Sequence, residues 1–160
     1  MQPSSKRLLT VAIVLALGVA AFILVQAPAV PDDQQIRNQV EALREAGEHK
    51  STSGVMRLVS EHYHDALMSN PEQLSFLLSR HLFKSDEPVQ VQTRDTTVTI
   101  TGETATSVTN ITVSRGGASV YTGNITLQWK KEESSRLLVI PDHIWRIVSA
   151  EYPANPDMME

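Results

Sequence analysis

Cysteine occurs nowhere in this chain of 160 residues. Its absence excludes disulfides, thiolate metal sites, a cysteine nucleophile and an acylated-cysteine anchor. It does not exclude export, because a domain with enough core to bury needs no covalent staple even in an oxidising compartment. Acidic residues are missing before Asp32, and clustered base is missing after it: residues 31 to 160 carry 12 basic against 18 acidic side chains, a formal net charge of −6. The one dense basic pair there, Lys130 and Lys131, is followed at once by Glu132 and Glu133. Phosphate backbones are held by clustered Lys and Arg, so nucleic acid is not an expected partner. Internal repeats and low-complexity tracts are also absent. No serine lies in a nucleophile-elbow context, and "RGGAS", residues 115 to 119, lacks the following helix that a phosphate-cradling loop needs.

What the chain does have is one long apolar run, "LLTVAIVLALGVAAFILV", Leu8 to Val25, with Lys6 and Arg7 ahead of it. At ~1.5 Å per residue a helix of this length reaches roughly 27 Å, close to the ~30 Å thickness of a bilayer's hydrocarbon. The basic flank stays inside and the acidic remainder is translocated. The expected organisation is a cytoplasmic N-terminus (1–7), an uncleaved signal-anchor helix (8–25), a proline-bearing linker (26–32), one domain (33–153) and a flexible tail (154–160). That places the domain on the periplasmic or extracellular side of the cytoplasmic (inner) membrane. The rival reading is a signal peptide cleaved near Ala29, after "APA", which would release a secreted domain; it is disfavoured because apolar cores of signal peptides usually run ~7–15 residues. A buried core helix fits less well, since the run has no polar face.

Beyond the linker, Ile36, Val40, Leu43 and Gly47 recur at helical spacing, predicting a first helix over 33–47 with Asp32 or Asp33 as its cap. A second helix is read over 54–68. A third opens on "NPEQ", where Asn70 caps, Pro71 suits the first helical position, and Leu74, Leu77, Leu78, His81 and Leu82 form the buried stripe. After Pro88 the period switches to two. Val89 and Val91 are odd but Val98 and Ile100 even, so the first strand must bulge or turn near Arg94-Asp95 to keep one face buried. Gly102-Glu103 turns the chain, Ile111 and Val113 mark the second strand, and "RGGAS" makes a hairpin. Tyr121, Ile125, Leu127 and Trp129 line the inner face of a long third strand. "KKEESS" reads as a loop, Leu137 to Ile140 as a fourth strand and "IWRIVSAEY" as a fifth. Helices followed by hairpin-linked strands predict an α+β domain, three helices covering one face of an antiparallel sheet.

The richest chemistry lies in "EHYHD", residues 61 to 65. On a helix, Val55, Met56, Val59, Tyr63, Ala66 and Leu67 share the buried sector, while Glu61 and Asp65 line up with Arg57 in water. His62 and His64 would then lie ~200° apart and could not chelate one metal; only a strand would bring them to one face. No metal and no cofactor are expected. His62 borders the buried sector and Tyr63 faces inward. Trp129 and Trp145 are read as core. The two "NIT" triplets, at Asn110 and Asn124, matter only if the source glycosylates exported proteins.

The order of elements, with "QIRNQVEALREA", "GVMRLVSEHYHD" and the terminal "WRIVSAEYP", resembles the nuclear transport factor 2-like superfamily, which includes ketosteroid isomerase-like and polyketide cyclase-like (SnoaL-like) proteins. The likeness covers residues 32 to 153 and points to a membrane-anchored bacterial member. It implies a cone: helices closing the concave side of a curved sheet over a pocket. The isomerase chemistry of that superfamily needs a carboxylate base near the end of the second helix, a place held here by Asp65 or Glu61. It also needs a tyrosine on the first helix, and Asp33 to Gly47 contains none. The expected function is therefore a membrane-tethered, extracytoplasmic, non-catalytic binding or assembly module, with a protein partner, a small apolar ligand or a second copy of the chain. Anchored domains of this fold also resemble bridging subunits of type IV secretion machinery. The alternative is a pocket enzyme for a small apolar substrate, with Asp65 as base and Tyr63 or His62 as hydrogen-bond donor.

Overall fold

A computed structural model describes residues 30–66, 70–136 and 140–151. The elements below all belong to the unit Pro31–Glu160. The apolar run Leu8 to Val25 and the tail 154–160 lie outside the described residues. No helix among the described residues is long and apolar enough to cross a membrane.

Helix α1, Asp32–Glu48, forms where the apolar spacing predicts it and buries Ile36, Val40 and Ala46. The expected aspartate cap does not form. Pro31 occupies the cap position and makes no side-chain cap, while Asp32 and Asp33 fall in the first turn, where negative charge suits the helix N-terminus. The chain then reverses through Lys50, which takes a left-handed φ of 50°.

Helix α2 is short, Thr52–Met56, with the Ser51 hydroxyl accepting from the Gly54 N–H at 3.0 Å. A Cβ on Gly54 would stand 2.9 Å from both the Ala46 Cβ and the Ser51 Oγ, so glycine permits the close seat of α2 on α1. The helix read over 54–68 is thereby corrected. After Met56 the backbone bonds elsewhere: the Ile147 N–H donates to the Leu58 carbonyl at 2.9 Å, and the Ser60 N–H donates to the Ile147 carbonyl at 2.9 Å. Val59 thus pairs in parallel with Ile147, and the His64 N–H reaches the Val148 carbonyl at 3.0 Å. A main chain spent on the sheet cannot also close helical turns.

Helix α3, Pro71–Leu77, starts as the sequence predicts: the Asn70 side chain accepts from the Gln73 N–H at 2.9 Å and Pro71 takes the first turn. It widens into a π-helical turn, Leu78–Leu82, closed by the Phe83 N–H on the Leu78 carbonyl at 2.8 Å. Leu78 is buried and Leu74 packs beside it; the side chains of His81 and Leu82 lie outside the described residues.

Four antiparallel strands follow in the order β1-β2-β3-β4: β1 Val89–Thr101, β2 Thr104–Arg115, β3 Ala118–Arg136 and β4 Ile140–Glu151. The bulge demanded by the parity switch is present. The register shifts between Arg94 and Thr97, with Asp95 at φ 51°, so Val91 and Val98 both reach the half-buried face. Gly102, Gly116 and Gly117 supply the positive φ of the two hairpins. "KKEESS" is not a loop. β3 continues to Arg136, and Lys130 to Arg136 pair with Arg146 to Ile140, so the described sheet has four strands, with Ile140 opening the last one. Inside, Trp129, Trp145 and Ile36 are 1%, 0% and 0% exposed. The Trp129 indole N–H finds the buried Ser107 hydroxyl at 2.8 Å, which removes the cost of burying both polar groups.

Candidate functional site

The stretch from Ser60 to Asp65 is held against β4 by the backbone bonds above, and its side chains split between burial and solvent. Tyr63 is buried and its hydroxyl donates to the Asp65 carboxylate. Asp65 is half-buried, whereas Glu61, His62 and His64 are exposed. The helical-wheel expectation that Asp65 points away from Tyr63 into water is therefore corrected: without the helix, residues two apart meet. His62 contributes its backbone N–H, which donates to the Ser60 hydroxyl at 3.0 Å. That hydroxyl in turn donates to Glu132 Oε1 at 2.5 Å, tying the segment to β3. Ser60 is 1% exposed and fully engaged. No group of three or more potential metal ligands gathers among the described residues.

A cleft of about 330 Å³ opens where α2 hands over to this segment and α3 begins. Met56, Val59, Ser60, Glu61, Pro71 and Glu72 line it. Asp65, Tyr63 and His62, the three residues of the enzyme alternative, are not among them. Tyr63 and Asp65 meet each other, whereas His62 contributes its backbone N–H to Ser60.

A second polar node lies at the start of α1. Asp32 accepts from Lys131 Nζ at 2.9 Å and from the Trp145 indole N–H at 3.1 Å, and Lys131 Nζ stands 5.6 Å from the Trp145 ring centroid. The Lys131 hydrogen bond holds the Asp32 carboxyl below its ordinary range, against an opposing push from burial, with smaller help from Trp145 and from the charges of Lys131 and His143. Glu48, at the other end of α1, is also held low, chiefly by the Val91 N–H that it accepts at 3.0 Å and further by Arg44. The Arg44 guanidinium is held above its ordinary value by Glu41 and Glu48, and burial raises the Tyr121 phenol. Sequence reasoning missed the Asp32 node because Lys131 was assigned to a loop. The available signal was parity: Lys131 continues the odd-numbered inner row of Leu127 and Trp129.

Helices ahead of a four-stranded antiparallel sheet, with the sheet's inner face filled from α1, define an α+β domain whose fold is similar to that of nuclear transport factor 2-like proteins. Solved structures agree. A nuclear transport factor 2-like protein of unknown function from Pseudomonas putida KT2440 superposes with a TM-score of 0.60 at 12% identity, over 79% of this chain and 90% of that one. A candidate aromatic ring hydroxylase from Novosphingobium aromaticivorans gives 0.59 at 13% identity, over 76% and 89%. Bd1075 of Bdellovibrio bacteriovorus gives 0.60 at 14% identity over 74% of this chain, but this chain spans only 38% of Bd1075. No protein-family model matches the chain, and no curated protein matches it either. At such identities the likeness shows the fold and nothing finer.

Proposed function

We propose that the chain is a membrane-tethered, extracytoplasmic binding or assembly module without catalytic activity of its own, anchored through Leu8 to Val25. The observation that carries this reading is the filled interior: Trp129, Trp145 and Ile36 occupy the space between α1 and the sheet, and the cleft described above is lined largely by half-buried and exposed side chains. A ketosteroid isomerase-like reaction needs a chamber that excludes water around a free carboxylate base. Asp65 instead accepts the Tyr63 hydroxyl, and neither lines the cleft. The run Leu8 to Val25 supports the tether through its length and its basic flank. The test is photo-crosslinking of the full chain in intact membranes, from probes at exposed positions such as His64 and Gln73, combined with protease added outside the inner membrane. The expected results are discrete crosslinked protein adducts and digestion of the domain. A domain that gives no adduct and turns over a small ligand would sink the proposal; full protease protection would overturn its topology.

A further inference from the structure

The outer edge of β1 is answered by α1 only as far as Thr96. Glu48 takes the Val91 N–H at 3.0 Å, and Arg37 donates to the Thr96 carbonyl at 2.6 Å. Main-chain groups alternate between the two sides of a strand, so beyond the bulge those of Thr97, Thr99 and Thr101 face β2, while those of Val98 and Ile100 face away from it. Among the described residues no hydrogen bond reaches these outward groups of Val98 and Ile100.

The stretch also lacks the devices that usually guard an open edge. "TVTIT", residues 97 to 101, holds no proline, no charge and no further bulge, and all its side chains are β-branched. Val98 packs against the core, but Ile100, on the same face, is 37% exposed. Open main-chain groups and an exposed apolar side chain therefore coincide on one short segment.

We propose that this edge pairs, antiparallel, with the same edge of a second copy of the chain, about a two-fold axis through Thr99. In that register Val98 lies opposite Ile100 of the other copy. Each exchanges the N–H and carbonyl that the single chain leaves open, and each Ile100 is covered by a valine. On the other face Thr99 meets Thr99, and Thr97 meets Thr101. The segment reads almost alike in both directions about Thr99, as a two-fold interface requires. Across the bulge, Arg94 opposes Asn110 where Thr97 opposes Val108, so the same register sets exposed Arg94 level with exposed Glu103 of the other copy. Opposite charges at both ends favour a second copy over a strand of unrelated sequence. The inference rests on the assembly reading for its setting: a strand pair this short is weak alone, and two chains tethered in one membrane meet at high effective concentration.

The experiment places a single cysteine in the full chain, which has none of its own, and reconstitutes it in liposomes. Facing residues of a non-hydrogen-bonded antiparallel pair stand about 4.5 Å apart between Cα atoms, within the ~4.4–6.8 Å that a disulfide accepts. T99C is expected to form a disulfide dimer on mild oxidation about tenfold faster than T97C or T101C alone, and a mixture of T97C with T101C should restore the rate. Adding I100K, a charge of the kind that guards natural edges, should abolish the T99C dimer and leave the thermal midpoint in place, since Ile100 is exposed. In the unsubstituted chain the Val98 and Ile100 amides should exchange more slowly as protein density in the membrane rises, with Ser60 and His64 unaffected. Absence of the T99C dimer, equal rates at all three positions, or a T99C dimer that survives I100K would overturn the proposal. A T99C adduct with a different protein in native membranes, in place of the dimer, would give the edge to a foreign strand and overturn the second copy. Failure of the T99C dimer removes this edge and leaves crosslinks from His64 and Gln73 standing; a T99C dimer of a chain that turns over a small ligand would remove the non-catalytic reading and keep the edge.

Discussion

Along β1 the sheet edge is closed by side chains: Glu48 accepts the Val91 N–H at 3.0 Å, and Arg37 donates to the Thr96 carbonyl at 2.6 Å. Along β4 it is closed by main chain: Leu58 and Ser60 exchange hydrogen bonds with Ile147, and the His64 N–H takes the Val148 carbonyl. Both devices cover strand groups that would otherwise invite another strand. They differ in what they ask of the sequence. The β1 closure depends on two particular residues presented by a helix, while the β4 closure uses groups that every residue except proline carries. Each contact of the first can be lost by one substitution; the second is lost only by moving the backbone.

The largest expected effect breaks the β4 side from beneath. Trp145→Ala removes a wholly buried indole that also donates to Asp32, and it should cost about 3–5 kcal/mol in chemical denaturation. Retention of stability within about 1 kcal/mol would show that β4 does not depend on its core contact. Next, Ser60→Ala leaves the β4 backbone bonds in place but strips the partner from Glu132 Oε1 and from the His62 N–H, at about 1–3 kcal/mol. Hydrogen exchange should show the Ser60 and His64 amides still protected; if they open, the side chain and not the main chain closes this edge.

On the β1 side, Glu48→Ala should cost about 0.5–1.5 kcal/mol and speed exchange at Val91 while leaving Ser60 and His64 untouched. Uniform acceleration across the sheet would erase the distinction between the edges. The smallest effect is on pH dependence. Asp32 and Glu48 are both depressed in the folded state, so their contribution is fully present above the ordinary carboxylate range, ~4, and is lost as pH falls through their lower folded values. Asp32→Asn and Glu48→Gln should each flatten the acid limb of a stability profile. An unchanged limb in both would show that neither carboxylate is anchored as described.

The same contrast explains what the sequence made legible. Helix α1, the Asn70 cap, the bulge at Arg94-Asp95, both glycine hairpins and the inner row of Tyr121, Leu127 and Trp129 could all be read, because each is written in side-chain type and spacing. The run from Arg57 to Asp65 was misread as helix because Val55, Val59 and Tyr63 repeat every fourth residue. All three are buried as that spacing required, but the choice between helix and sheet attachment was made by main-chain groups of Leu58, Ser60 and His64. No residue type announces that choice. The Tyr63–Asp65 contact and the cleft depend on it, so the candidate site was less legible than the fold. The polar run "KKEESS" misled in the opposite sense, since a strand paired on one side needs no apolar residues to persist.

The Asp32 node gives the domain a mechanical property as well. Asp32 is the first residue of α1, and it grips Lys131 on β3 and Trp145 on β4. Tension applied at Pro31 would therefore fall on contacts to two adjacent strands as well as on the first turn of α1. In a pulling experiment with the handle at Pro31, this node would be the first contact to resist.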